Sequence, residues 1–471
     1  MLRFLRQRPT AALLAATLAL TACNDDGGGI GPIPSGDAVI TTNIVANRTF
    51  YAETTYTISG FIQVTSNAIL TIQPGTRIVG DFDVVGSSLF ITRGAKIMAN
   101  GTAAAPIVFT SERPVGQRQA GDWGGLVIIG NGIINRSGTI QVEGTGTGPE
   151  NPVQNYSGGV SNTDNSGILR YVRIEFAGYA PAPNLELNSL TLAAVGSGTT
   201  VEYVQSLYGL DDSFEFFGGA VDAKYLVSYE SGDDHFDMSE GYAGRLQYVI
   251  AYQSQLVVPR PGAGSASADP QGIENDGCNG AGCDLGHNST PFTTPVVANF
   301  TLVGTGTGTD VDPTTGGYGA ILRRGSGGYY VNGLIARWPK GAFGVRDAGT
   351  QTRITDGFLD ARNILVLETP SIFTAASGGF VMSDSVARNI TRDAVATTSA
   401  QFTTFTMPAT SAAAFDWTPP GAALAASGGL TVFSGNMATA AGTFVQGTAF
   451  RGAAAPGGVK WWAGWTAYAK N

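Results

Sequence analysis

The chain has 471 residues, with 27 Lys and Arg against 36 Asp and Glu, a formal charge of −9 and two His. That sign repels nucleic acid phosphates and anionic lipid, so it excludes both as partners of the folded body and favours cations, neutral glycans or basic proteins. Charged residues are 13% of the chain while Gly fills 66 positions, which suits many tight corners and few amphipathic helices.

Residues 1–22 open with a basic stretch (Arg3, Arg6, Arg8), continue as an apolar run over 11–20 and end at Leu20-Thr-Ala-Cys23. The run is too short to cross a bilayer and too near the N-terminus to be core, so it reads as an export signal. The ending resembles the lipobox of bacterial lipoproteins, which implies a lipidated Cys23 as the first mature residue; the alternative is an ordinary signal peptide with Cys23 incidental. Asn24 stands where an inner-membrane retention signal commonly has Asp, so the same resemblance favours the outer membrane. Loss of residues 1–22 removes three Arg and no acid, taking the charge from −9 to −12. No later run is long enough for a transmembrane helix. Residues 23–38 are rich in Asp, Gly, Ile and Pro, have no period and read as a tether reaching roughly 20 Å. A single domain is expected over 39–471, with a C-terminal cap at about 446–471.

From Val39 the pattern is that of β-strands. Leu70-Thr-Ile-Gln-Pro-Gly-Thr-Arg-Ile78 and Leu89-Phe-Ile-Thr-Arg-Gly-Ala-Lys-Ile97 superimpose with a shift of 19, which suggests two adjacent rungs of a solenoid. Ile69-Leu-Thr-Ile-Gln-Pro-Gly75, the run over 95–109 and Gly121-Asp-Trp-Gly-Gly-Leu-Val-Ile-Ile129 resemble the opening of secreted bacterial right-handed β-helix proteins of the pectin-lyase-like type. The resemblance continues through Asp164-Asn-Ser-Gly167, Tyr171-Val-Arg-Ile-Glu-Phe-Ala-Gly178 and Asp211-Asp-Ser-Phe-Glu-Phe-Phe-Gly-Gly219, and returns in Phe450-Arg-Gly-Ala and Trp461-Trp-Ala-Gly-Trp465. It implies an all-β, right-handed parallel β-helix and a surface or outer-membrane lipoprotein, and no particular reaction.

Residues 201–252 repeat themselves. Val201-Glu-Tyr-Val-Gln-Ser-Leu-Tyr208 precedes Leu210-Asp-Asp-Ser-Phe-Glu-Phe-Phe; 22 residues later Ala223-Lys-Tyr-Leu-Val-Ser-Tyr229 precedes Gly232-Asp-Asp-His-Phe-Asp-Met238, and Arg245-Leu-Gln-Tyr-Val-Ile-Ala-Tyr252 begins a third copy. So short a period, with β-type runs and Gly corners, is a parallel β-helix signature. Rungs of 20 to 24 residues predict roughly 16 to 19 turns. Residues 253–271 and 304–317 have no period and read as protruding loops; 392–445 is Ala, Thr and Ser rich, either a lateral elaboration or an imperfect last turn. Cys278 and Cys283 flank Asn-Gly-Ala-Gly, and in an oxidising compartment a disulfide is favoured over a metal or redox pair. Neither His235 nor His287 has a metal-finger spacing.

Alternation places the chemistry. If Phe214 and Phe236 stack inside the coil, Glu215 and Asp237 stand outside it, and Glu274 joins them with Ile273 inward. Rungs are about 4.8 Å apart, so three like charges form a ladder, flanked by Asp211, Asp212, Asp233 and Asp234 at the preceding corner and by Asp276. Three readings compete: a hard cation such as Ca²⁺ among these oxygens; a catalytic set drawn from Glu215, Asp237, Glu274 and His235 at glycosidase spacing; or a partly solvated corner that accepts backbone N–H bonds. No Lys or Arg is evident beside the column, and His235 between acids reads as a charge-balanced surface group. Tyr203, Tyr225 and Tyr248 recur in register with apolar residues and suggest an internal ladder. Trp461, Trp462 and Trp465 suggest a cover for the open last rung. No phosphate loop, Ser-His-Asp order or Zn pattern is present. Two functions follow: a non-enzymatic surface lipoprotein binding a glycan, a cation or an outer-membrane partner, or a polysaccharide-active hydrolase or lyase using the clustered carboxylates.

Overall fold

A computed structural model describes residues 35–181, 185–267, 270–306, 316–409 and 411–468. The expected export signal, Cys23 and most of the expected tether lie outside the described residues. The chain coils into a right-handed parallel β-helix built on a 17-stranded and a 10-stranded parallel sheet. It begins at the strand Gly36–Ile40, three residues before the expected start.

Each rung stacks its inward residues on those of the next. Val201, Ala223, Leu246 and Val297 form one internal column, and Val204, Leu226, Val249 and Phe300 a second; all are at most 1% exposed. Period-two alternation presents this apolar face, and the rung spacing brings the side chains into van der Waals contact. Strands such as Thr200–Gly209 and Ala223–Ser231 serve two faces of the coil because each bends at one left-handed residue. The bend column is Tyr171, Tyr203, Tyr225 and Tyr248, then Asn299, Asn332 and Asn363, with φ between +49° and +62°. Elsewhere the rungs pass so closely that a Cβ on Gly232 would lie 1.8 Å from Leu210 O, which leaves Gly alone at that corner.

The ten strands from Phe61–Val64 to Phe373–Ala375 mark ten turns among the described residues, and residues 36–50 form one more beneath them, paired through Gly36–Ile40, Ile44 and Arg48–Phe50, still fewer than the 16 to 19 expected. The difference is chain that leaves the coil. Residues 131–166 form an arm with a small antiparallel pair, Ile140–Gln141 against Asn155–Tyr156. Beyond the strand Ile390–Asp393 the chain runs back along the outside as a lateral elaboration. The 19-residue repeat is also not a rung: Leu70 pairs with Ile97, and Leu89 pairs with Ile62 and Leu126. The two copies are similar strand–Gly–strand corners at different vertices of the coil, because every vertex needs the same turn chemistry.

The tyrosine ladder is on the outside, correcting the expected internal position. Its rings stack at 4.4, 4.4 and 5.3 Å from Tyr171 through Tyr248. Trp465 meets Tyr171 and Tyr203 edge-on, and Trp461 lies 5.3 Å from Tyr225. The C-terminal tryptophans therefore form an aromatic cap, and it covers this flank instead of the last rung. The disulfide between Cys278 and Cys283 is present, with Cα atoms 5.7 Å apart.

Candidate functional site: a carboxylate cleft

The acidic ladder has the register its sequence implies. Phe214 and Phe236 stack inside at 5.2 Å, Ile273 is fully buried, and Glu215, Asp237 and Glu274 are direct neighbours in successive rungs. Thr191 precedes Glu215 in the column and Ile321 follows Glu274, so the run of acids is three rungs long. The next outward position, two residues on, carries Phe217 and Ser239 in register and Asp276 beyond them. At the preceding corner Asp212 Oδ1 accepts the Asp234 N–H at 2.8 Å, and Asp234 Oδ1 accepts the Gln271 N–H at 2.5 Å. Some corner acids thus serve as backbone acceptors.

The acids are outside the coil yet not at a solvated surface. Asp211, Asp212, Glu215, Asp234, Glu274 and Asp276 are 2–7% exposed, while Asp233 and Asp237 are partly open. Loops wall them into a cavity of about 890 Å³. The 131–166 arm contributes Arg136 and Glu143, and docks through the Asn135 N–H to Glu240 O and the Ser137 N–H to Gly282 O. Glu186 enters from a second loop, and Gly262, Gly264 and Ser267 from the 253–271 loop. The disulfide loop holds one rim, where Arg136 Nε donates to Ala281 O at 3.0 Å.

Basic groups do stand beside the column, contrary to the sequence reading. Arg323 pairs with Glu274 and, through Nε at 2.6 Å, with Asp276; Arg324 also pairs with Asp276, and Arg136 with Glu240. His235 is not part of the cleft. It is fully buried, with Nδ1 2.5 Å from Ser228 Oγ and its ring edge-on to Trp338. Burial pushes its pKa down to about 3, so it is a neutral core residue and neither a surface group nor an acid catalyst.

Electrostatics divide the carboxyls. Burial, then the charge of Asp237, lifts Glu215 well above the carboxylate range; burial and Asp233 do the same to Asp211, and burial and Asp211 to Asp212. Glu143 rises to about 8 through burial and then Glu186. Asp276 rises to about 8 because burial outweighs the attraction of Arg324. Asp237 reaches only about 6, since Arg323 and Arg324 offset its burial. Desolvation and like charge both favour the protonated form, so the cleft holds protons near neutral pH unless a cation replaces them.

Three overlapping trios have carboxylate oxygens within 4.8 Å of one another: Asp211, Asp212 and Asp233; Asp212, Glu215 and Asp237; Asp234, Asp237 and Glu274. Three oxygens no more than 4.8 Å apart share a point within about 2.8 Å of all of them, close to a Ca–O bond of about 2.3–2.6 Å, so a small side-chain adjustment lets one ion reach every oxygen of a trio. The donor set is wholly oxygen, which suits a hard cation. Asp237 Oδ1 and Ser239 Oγ are buried without a hydrogen-bond partner, as ligating or ligand-facing atoms would be.

Alternation alone would have found Phe217 and Ser239, two residues beyond Glu215 and Asp237. Glu143, Glu186 and Arg136 sit on loops whose docking carries no local signal, and Arg323 needed the register of Tyr318–Arg323 against Glu274–Asp276.

Fold and site together define a parallel β-helix protein with a loop-walled carboxylate cleft on one sheet. A family model for the pectate-lyase like beta helix domain matches residues 42–419, and the chain belongs to that family. No curated protein and no solved structure matches it.

Proposed function

We propose that this protein is a binding or structural component of the cell envelope, held by lipid at Cys23, whose cleft takes up divalent cations, Ca²⁺ before others. The observation that carries the cation reading is the set of three carboxylate trios, each of a size that one ion fills. Asp212 and Asp237 each belong to two trios, which favours more than one ion sharing bridging carboxylates. The 253–271 loop lies on the cleft wall, where it would give specificity, since a glycan or envelope partner would reach the ions past it.

Calorimetric titration of the mature protein with Ca²⁺ tests this. Asp212→Asn and Asp237→Asn keep one acceptor oxygen, replace the other by an NH2 donor and remove the charge, so each should weaken Ca²⁺ by roughly tenfold or more. A flat titration with no metal in elemental analysis leaves the acids as a protonated ladder. Reducing ends released from acidic or neutral polysaccharides, and lost in a Glu215→Gln, Asp237→Asn double variant, would replace the binding role by the enzymatic one. The lipobox supports the anchor: Cys23→Ala should release the body into soluble fractions or block maturation, and unchanged membrane attachment with unchanged fatty-acid labelling would refute it.

A further inference from the structure

The carboxylate cleft opens into an annex of different character. A second cavity of about 370 Å³ shares Phe217, Glu143, Arg136 and Glu240 with the first, and its other walls include Ile140, Val142, Tyr156 and Leu185. Phe217 occupies the outward grid position that Ala193 fills one rung earlier and Ser239 one rung later, so an aromatic face stands where the following rung presents a hydroxyl. Its ring packs on Tyr156 at 5.7 Å, yet it remains partly exposed, and Leu185 at the annex mouth is 37% exposed. Both are apolar surfaces that a ligand would cover.

Charge decides what kind of ligand. Glu240 is already committed to Arg136 and to the Tyr156 hydroxyl, which donates to it at 2.7 Å. Glu143, at the junction of the two cavities, forms no ion pair with Arg or Lys among the described residues and belongs to none of the three trios. A hard metal ion takes six to eight oxygens, and apolar walls do not provide them. An ammonium group needs three acceptors and gains from an adjacent ring face. Ser239, nine-tenths buried and in register with Phe217, lines the same cleft with its Oγ unpartnered, a separate sign that a polar ligand atom belongs there.

We propose that the annex and its junction with the cleft form a subsite for an organic cation, a primary ammonium carried on an aryl or branched alkyl group, with the ammonium at Glu143 and the apolar part against Phe217 and Leu185. This goes beyond the divalent-cation reading and does not rest on it, since Glu143 lies outside the trios. The chemical class includes amines and the basic end of a peptide that carries a neighbouring apolar side chain.

Titration of the mature protein with 2-phenylethylammonium chloride at about pH 9, above the value of about 8 to which burial raises Glu143 so that its carboxylate is ionised, and in EGTA so that divalent ions are absent, tests the subsite. Saturable binding is expected, with the neutral 2-phenylethanol at least roughly tenfold weaker. Glu143→Gln should weaken the ammonium by roughly tenfold, and Phe217→Ala by a similar factor, with Phe217→Leu between Ala and the parent. Equal binding of alcohol and ammonium, no saturable binding at millimolar probe, or an unchanged titration in Glu143→Gln would overturn the proposal. The alcohol comparison uses the parent protein, so it remains decisive if a variant fails to fold. Because EGTA removes the ions, failure of the Ca²⁺ titration and failure of this one are separate results.

Discussion

In the presence of chelator, the melting temperature of the mature protein is expected to fall as the pH rises from about 4 to about 8, and millimolar Ca²⁺ should abolish or reverse that fall. The cleft carboxyls have folded-state pKa values above those of the unfolded chain: Asp237 moves from 3.8 to about 6, Glu143 from 4.5 to about 8 and Asp276 from 3.8 to about 8, with Asp211, Asp212 and Glu215 raised as well. Between each pair of values the folded state holds more protons than the unfolded state, so stability drops with rising pH through that interval and levels above the folded value. Below the unfolded values both states are protonated and the penalty is absent.

Acids of the opposite kind act in a different window. In Glu368 burial is outweighed by hydrogen bonds from Thr398, and in Asp416 by Lys460 and Thr418, so both titrate below the usual range. Their stabilisation is present above the unfolded values and is lost only as the pH falls below them. A bound divalent ion replaces the protons of the cleft and stabilises the folded state by mass action, largest where the carboxylates would otherwise be ionised and unpaired. A melting temperature that is flat from pH 4 to 8 in chelator, or that Ca²⁺ leaves unmoved at pH 8, would refute the account.

Trp465→Ala should destabilise the C-terminal flank by about 3–5 kcal/mol, the usual cost of removing a buried large aromatic. Trp465 is fully buried, edge-on to Tyr171 and Tyr203, and its Nε1–H donates to Trp461 O at 2.7 Å. Its own carbonyl accepts from Arg173 at 3.0 Å, and Gln205 exchanges two hydrogen bonds with the backbone of Ala467. Truncation leaves a cavity over the tyrosine ladder and loosens the last turn of chain from the coil. The coil beneath has its own stacked core, so the effect should be local: proteolysis near residues 446–468 and faster amide exchange there, with rungs 201–252 still protected. A loss below about 1 kcal/mol, or protection unchanged over 446–468, would show that the tryptophans do not hold this flank.

Where sequence succeeded and where it failed has one geometric origin. Alternation is a property of neighbouring residues, and a rung repeat is a property of a short stretch, so 201–252 alone determined the parallel coil, the Phe214–Phe236 stack and the order of Glu215 and Asp237, and the alternation of Ile273 and Glu274 added the third acid. The cysteine pair five residues apart was equally local. The tyrosines broke the rule because Tyr203 and its counterparts are left-handed corners: Val201 and Val204 both point inward across the bend, parity slips by one, and an apolar context no longer means an inward ring. Only the tertiary structure decided the environment of the acids. Glu143 and Arg136 arrive on an arm that leaves the coil before residue 167, Arg323 on a strand one rung beyond Glu274, and the covering loops turn an outward ladder into a buried cleft. Burial and facing charge, which set the chemistry of those carboxyls, belong to chain segments far apart in sequence, and no local pattern encodes where such segments dock.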